Sequence, residues 1–138
     1  MQPDSSSAFT DGSSPAAPMV LAAEDIAVNQ FLLQAFLDDL GVCYEIVDDG
    51  EAAVSRFKAA RFDLVLMDIR MPKMDGFTAL REIRALGESG QSVPIVAMTA
   101  NATASERAEL EGAGFDSILG KPFTLDDLRQ GLAAFQIG

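Results

Sequence analysis

From Met19 onward the chain alternates short apolar runs with helix-length amphipathic stretches, and that alternation leaves few folds open to it. The runs Met19–Ala23, Cys43–Val47, Phe62–Met67, Pro94–Met98 and Ser117–Leu119 have strand length, and the middle ones are almost continuously apolar. Continuous apolar runs suit strands that are covered on both faces. Between them, Val28–Leu40, Glu51–Ala60, Phe77–Leu86, Thr103–Gly112 and Thr124–Phe135 have helix length. Gly41 stops the first of these, and Leu125, Leu128, Leu132 and Phe135 form an apolar stripe on the last. Thr124 with Asp127, and Thr103 with Glu106, have the spacing of N-terminal capping pairs. Five strands alternating with five helices predict an α/β domain: a parallel sheet, helices on both faces and right-handed crossovers.

With 138 residues, 49% of them hydrophobic, the chain has the material for one domain with a substantial core. Residues 1–18, rich in Ser, Pro, Ala and Gly without sustained periodicity, are expected to be a flexible tail or linker remnant, with the domain over 19–138. No long internal period points to a solenoid. No apolar stretch reaches the roughly 18 residues of a membrane span, and the N-terminus lacks a secretory layout, so a soluble cytoplasmic protein with no membrane partner is expected. The single cysteine, Cys43, lies between Val42 and Tyr44 and is expected to be a buried core thiol.

The formal charge of −11 repels nucleic-acid phosphates and anionic lipid, so no nucleic-acid partner is expected. The acidity is uneven: ten Asp and Glu side chains precede the first basic one, Arg56. A solvated acidic surface is the ordinary meaning of such a bias, and cations or basic partners the functional one.

In parallel α/β sheets, ligands bind beyond the carboxyl ends of the strands. Asp68 ends the third predicted strand within "LVLMDIRMPKMDG", and Glu24 and Asp25 follow the first. Three carboxylates at one edge repel each other unless a cation joins them, and oxygen ligands alone favour Mg²⁺, Mn²⁺ or Ca²⁺. Thr99 follows the fourth strand and Lys121 the fifth, where a hydroxyl and an ammonium can both contact the oxygens of a transferring phosphoryl group. An aspartate can itself form an acyl phosphate, the metal lowering repulsion between carboxylate and phosphate.

The segments "AED" at Ala23–Asp25, "LVLMDIRMPKMDG" at Leu64–Gly76, "AMTA" at Ala97–Ala100 and "GKP" at Gly120–Pro122 resemble the receiver domain of two-component response regulators, over roughly Met19 to Phe135. The resemblance implies a flavodoxin-like doubly wound sheet of strand order 2-1-3-4-5. It also implies that Asp68 accepts a phosphoryl group from a partner phosphohistidine on a sensor histidine kinase or a histidine phosphotransfer domain. In that scheme Glu24, Asp25, Asp68 and the main-chain carbonyl of Arg70 hold Mg²⁺, Thr99 contacts the phosphoryl group and Lys121 pairs with it. "VNQ" at Val28–Gln30 resembles receivers attached to hybrid sensor kinases.

Each residue taken singly has a plainer reading. Asp68 could cap a turn, Glu24 and Asp25 could be a solvated pair, Thr99 could satisfy a backbone group and Lys121 could be a surface lysine. Met67, Met71, Met74 and Met98 are expected to fill gaps, and Asp75 with Gly76 to make the turn into the third helix.

Two positions depart from the resemblance. Ile118 stands where receivers commonly carry a switching aromatic ring, and Ile26 where Asn often follows the acidic pair. Arg70 and Asn101 flank the expected site, where side chains can modulate hydrolysis of the acyl phosphate.

Only three residues follow Phe135, so a protein-binding or phosphorelay output is expected, with no enzymatic activity beyond the domain's own phosphorylation and dephosphorylation. A pseudo-receiver without phosphotransfer is the alternative that Ile118 keeps open. A haloacid-dehalogenase-like phosphohydrolase would need an aspartate where Arg70 stands, and a flavodoxin-type cofactor binder a Gly-rich loop after the first strand.

Overall fold

The computed structural model describes residues 17–137. The expected tail over 1–18 therefore lies almost wholly outside the described residues. The elements run β1 (Met19–Ala23), α1 (Ala27–Leu40), β2 (Cys43–Val47), α2 (Gly50–Ala59), β3 (Leu64–Asp68), α3 (Gly76–Arg84), α4 (Glu88–Ser92), β4 (Ile95–Thr99), α5 (Ala104–Ala113), β5 (Ser117–Gly120) and α6 (Leu125–Ala133). The five strands form one parallel sheet in the order β2-β1-β3-β4-β5, as the resemblance implied.

The sheet separates two apolar layers. One packs Leu21, Val65, Met67, Ile95 and Ala97 beneath Ala53 and Phe57 of α2, Leu80 and Ile83 of α3 and Leu110 of α5. The other packs Val20, Leu66, Val96 and Met98 beneath Leu33 and Leu37 of α1 and Leu128 and Leu132 of α6. Successive strand residues point to opposite faces, so both faces can be apolar only if the run is continuous. That holds for β3 and β4, in which every residue is buried.

The edge strands behave differently. Cys43 is exposed, against the expectation of a core thiol. It opens β2, which has a neighbour on one side only among the described residues, and no residue of that strand is fully buried. The apolar neighbours misled here because Val42, one residue earlier, is the buried one.

Local chemistry sets the helix ends. Gly41 and Gly114 stop α1 and α5 with φ values of 73° and 115°, a region that favours residues without a Cβ. Asp49, Asp75, Thr103 and Thr124 cap the N-termini of α2, α3, α5 and α6 with side-chain oxygens. The short α4 was not expected, because "GESGQS" carries no apolar stripe. It is held by Arg84, whose guanidinium donates to the carbonyls of Gly90, Gln91, Val93 and Gly114 and to Asp116 Oδ2 at 2.6 to 3.3 Å.

Candidate functional site

The carboxyl ends of β1, β3, β4 and β5 bring the expected residues together. Asp68 is the last residue of β3 and only 5% exposed, and Thr99 ends β4 at 3%. Glu24, the residue after β1, is 1% exposed, while Asp25 is open to solvent. Polar groups this deeply buried need partners. Lys121 supplies them from the residue after β5: its Nζ donates to Glu24 Oε1 at 2.8 Å and to Asp68 Oδ2 at 3.0 Å. The peptide bond to the following Pro122 is cis, and the Lys121 N–H donates to the Thr99 carbonyl at 2.7 Å.

The backbone around Glu24 is pinned as well. Its N–H donates to the Val47 carbonyl at 3.0 Å, and its Oε2 accepts from the Ile26 N–H at 3.1 Å. Gln30 of α1 donates to the Glu24 carbonyl at 2.6 Å and to Asp48 Oδ1 at 2.7 Å, tying the acidic turn to the end of β2. Only the hint in "VNQ" drew attention to Gln30, because its contact appears once α1 has folded back across the strand ends.

Oxygen atoms of Glu24, Asp25 and Asp68 lie within 4.8 Å of one another. At that spacing each charged pair repels by roughly 3 kcal/mol for an effective dielectric of about 20. Lys121 offsets one of the three negative charges and leaves two, matching a divalent cation in charge and, through oxygen donors, in chemistry. Burial pushes the Asp68 carboxyl up to about 6; the charge of Glu24 adds to the rise and the Lys121 ammonium opposes it. For Lys121, burial favours the neutral amine, but its bonds to Glu24 and Asp68 outweigh burial and raise its pKa. Arg70 lies two residues past Asp68 with its side chain exposed.

Thr99 faces a network that sequence reasoning missed. Its hydroxyl donates to Glu106 Oε2 and accepts from the Asn101 N–H at 3.0 Å, while Asn101 Nδ2 donates to Glu106 Oε1 at 3.3 Å. The spacing of Glu106 from Thr103 suggests only a capping partner. The overlooked signal is that a residue three positions into α5 sits above the end of the strand that precedes the helix.

Ile118 is half-buried and packs against the apolar layer under α2, α3 and α5, an ordinary strand contact. Met67 and Met98 are fully buried, one in each layer, and Met71 and Met74 pack at the margin of the layer that holds Met67, so gap filling accounts for them. Asp75 caps α3 as expected. Among the described residues, no helix is long and apolar enough to cross a membrane.

This geometry matches known proteins. Residues 20–133 match the response regulator receiver domain. Sensor protein GacS of Pseudomonas syringae pv. syringae is 45% identical over 116 residues, covering 83% of this chain and 13% of that protein. The chain thus spans about an eighth of that relative. The receiver domain of sensor histidine kinase PA1611 from Pseudomonas aeruginosa, whose crystal structure has a magnesium ion in the active-site cleft, superposes with a TM-score of 0.80 at 42% identity, covering 87% of this chain and 98% of that one. The receiver domain of Saccharomyces cerevisiae Ssk1, solved with the histidine phosphotransfer protein Ypd1, gives a TM-score of 0.80 at 26% identity over 87% of this chain and 89% of that one. With its five-stranded order, its acidic cluster and its lysine and threonine at the strand ends, the chain belongs to the response regulator receiver domain family and is similar to the receivers of hybrid histidine kinases.

Proposed function

We propose that Asp68 accepts a phosphoryl group from a phosphohistidine, and that residues 19–138 constitute the receiver unit that does so. One observation carries this reading: a carboxylate 5% exposed, at the end of the central strand, bonded to Lys121 and clustered with two further carboxylates. Glu24, Asp25, Asp68 and the Arg70 carbonyl would hold Mg²⁺, a choice supported by the magnesium ion in the PA1611 receiver. The ion supplies charge neutralisation between carboxylate and phosphate.

In the transfer, an Asp68 carboxylate oxygen bonds to phosphorus as the P–N bond to the imidazole breaks. The imidazole nitrogen keeps the electron pair and takes a proton from solvent. Lys121 and the Thr99 hydroxyl contact the equatorial oxygens, where charge must be balanced. The chain's own catalysis is confined to gaining and losing this group. The Ypd1 complex with the Ssk1 receiver supports a histidine phosphotransfer domain as donor or acceptor, and the likeness to GacS supports a sensor histidine kinase upstream. The cytoplasm is the compartment in which we place this exchange.

Incubation with acetyl phosphate and Mg²⁺, followed by intact mass, tests the assignment. Wild type should gain one phosphoryl group only with Mg²⁺, and Asp68→Asn should gain none. An adduct that persists in Asp68→Asn would move the acceptor elsewhere.

A further inference from the structure

Thr99 is already committed to another partner. A hydroxyl has one proton, and the Thr99 proton is given to Glu106 Oε2, so it cannot also be given to a phosphoryl oxygen on Asp68. We propose that Glu106 is a latch on the receiver switch: a positioning residue that holds the Thr99 hydroxyl and the Asn101 amide in the unphosphorylated arrangement and must release both for the phosphorylated one. This rests on Asp68 being the phosphoryl acceptor.

The placement of Glu106 is not explained by helix capping. Thr103 caps α5 and its hydroxyl accepts from the Glu106 N–H at 3.2 Å, the arrangement in which a glutamate normally bonds back to the capping residue's own N–H. Thr124 and Asp127 close that reciprocal pair on α6, with bonds of 3.0 Å in both directions. On α5 the Glu106 carboxylate instead spans Thr99 and Asn101. Thr103 therefore fixes the first turn of the helix, and the carboxylate faces the end of β4.

The bond is charge-assisted and one end of it is buried, so release has a real cost and biases the resting equilibrium against activation. Glu106 also lines a cleft with Ile69, Arg70, Met71, Asp75 and Phe77. Arg70 is a cation lining that cleft, beside the carboxylates of Asp75 and Glu109, and in the proposed release the Glu106 carboxylate turns toward it. The two bonds of Thr99 are alternatives, and Glu106 sets the balance between them.

Beryllofluoride, an acyl-phosphate mimic, is titrated in saturating Mg²⁺ into folded wild type, Glu106→Gln, Glu106→Ala, Thr99→Val and the Glu106→Ala/Thr99→Val pair. Glu106→Ala should bind about tenfold more tightly, the scale of one hydrogen bond to a charged group. Glu106→Gln, whose amide oxygen still accepts from Thr99, should gain roughly threefold. In the Thr99→Val background, Glu106→Ala should change nothing further.

Unchanged affinity in Glu106→Ala, with wild type binding normally, overturns the latch and leaves the acceptor reading intact. Equal tightening in the Thr99→Val background also overturns it, because the effect would then be the removal of a nearby negative charge. If wild type neither binds beryllofluoride nor is phosphorylated by acetyl phosphate, the acceptor reading fails and the latch with it. Should Glu106→Ala not fold, Glu106→Gln is compared with and without Thr99→Val: a roughly threefold gain confined to the Thr99 background supports the latch, and no gain, or an equal gain in both backgrounds, overturns it.

Discussion

Asp68 costs the metal-free protein stability, and the sign of that cost fixes a pH window. Its carboxyl titrates near 3.8 when unfolded and near 6 when folded. Below the lower value both states are protonated and the cost is absent. Between the two, the folded state retains a proton that the unfolded state has released, so stability falls as pH rises, and above about 6 the loss is complete. Asp68→Asn removes it, and in EDTA at pH 7 the variant should be more stable than wild type by roughly 1–3 kcal/mol. The difference in Tm should close as the buffer approaches pH 4 and shrink when Mg²⁺ is added to wild type. Equal melting at pH 7 without metal would mean that burial does not penalise this carboxylate. Asp68 and its companions were legible because each stands where an apolar run stops, a one-dimensional signal. Glu106 and Gln30 were not, because neither interrupts a run and each meets its partner only through the folding-back of a helix.

The elements that carry the site are held in place by close backbone approach, and here sequence and structure diverge in an instructive way. Asp75 with Gly76 reads as turn chemistry, and Asp75 does cap α3. The need for glycine at position 76 comes from elsewhere: a Cβ there would lie 2.5 Å from the Asp68 carbonyl oxygen and 2.9 Å from the Ile69 Cα. The Gly76 N–H also donates to the Ile69 carbonyl at 2.9 Å, so α3 begins directly on the backbone that follows Asp68. Gly76→Ala should therefore destabilise the fold by about 1–3 kcal/mol in urea unfolding and slow acetyl-phosphate labelling of Asp68. Wild-type stability with wild-type labelling would show that the loop after β3 yields without displacing Asp68. The strands were legible to within about two residues because their apolar runs have no competing reading. The short α4 was invisible, since it depends on Arg84 binding a set of carbonyls that only the assembled domain presents.

At the scale of the whole molecule, the two layers bury the apolar faces of the sheet and, among the described residues, leave an apolar surface open at the start of α1. Ile26, Val28, Phe31 and Leu32 are exposed at the start of α1, with Phe31 74% and Val28 69% open, although the chain carries a net charge of −11. Scattered exposed apolar residues are ordinary, but these four fall within seven positions, directly after Glu24 and Asp25. Ile26 and Leu32 also line a cleft that includes Glu24, Lys121 and Phe123, so the apolar surface runs up to the carboxylates themselves. A small phosphodonor needs only the carboxylates, the metal and Lys121, whereas a phosphohistidine carried on a protein must also be seated over the strand ends. Phe31→Asp places a like charge on this surface for an acidic domain and removes apolar contact area, while touching none of the groups proposed to react. Labelling by acetyl phosphate should therefore remain at the wild-type rate, and transfer from a phosphorylated histidine phosphotransfer domain should fall by about tenfold or more, the loss of one well-seated aromatic contact. Equal loss with both donors would place the defect in the site. Equal retention with both would move the partner's footprint off α1, toward the surface formed by α5 and β5.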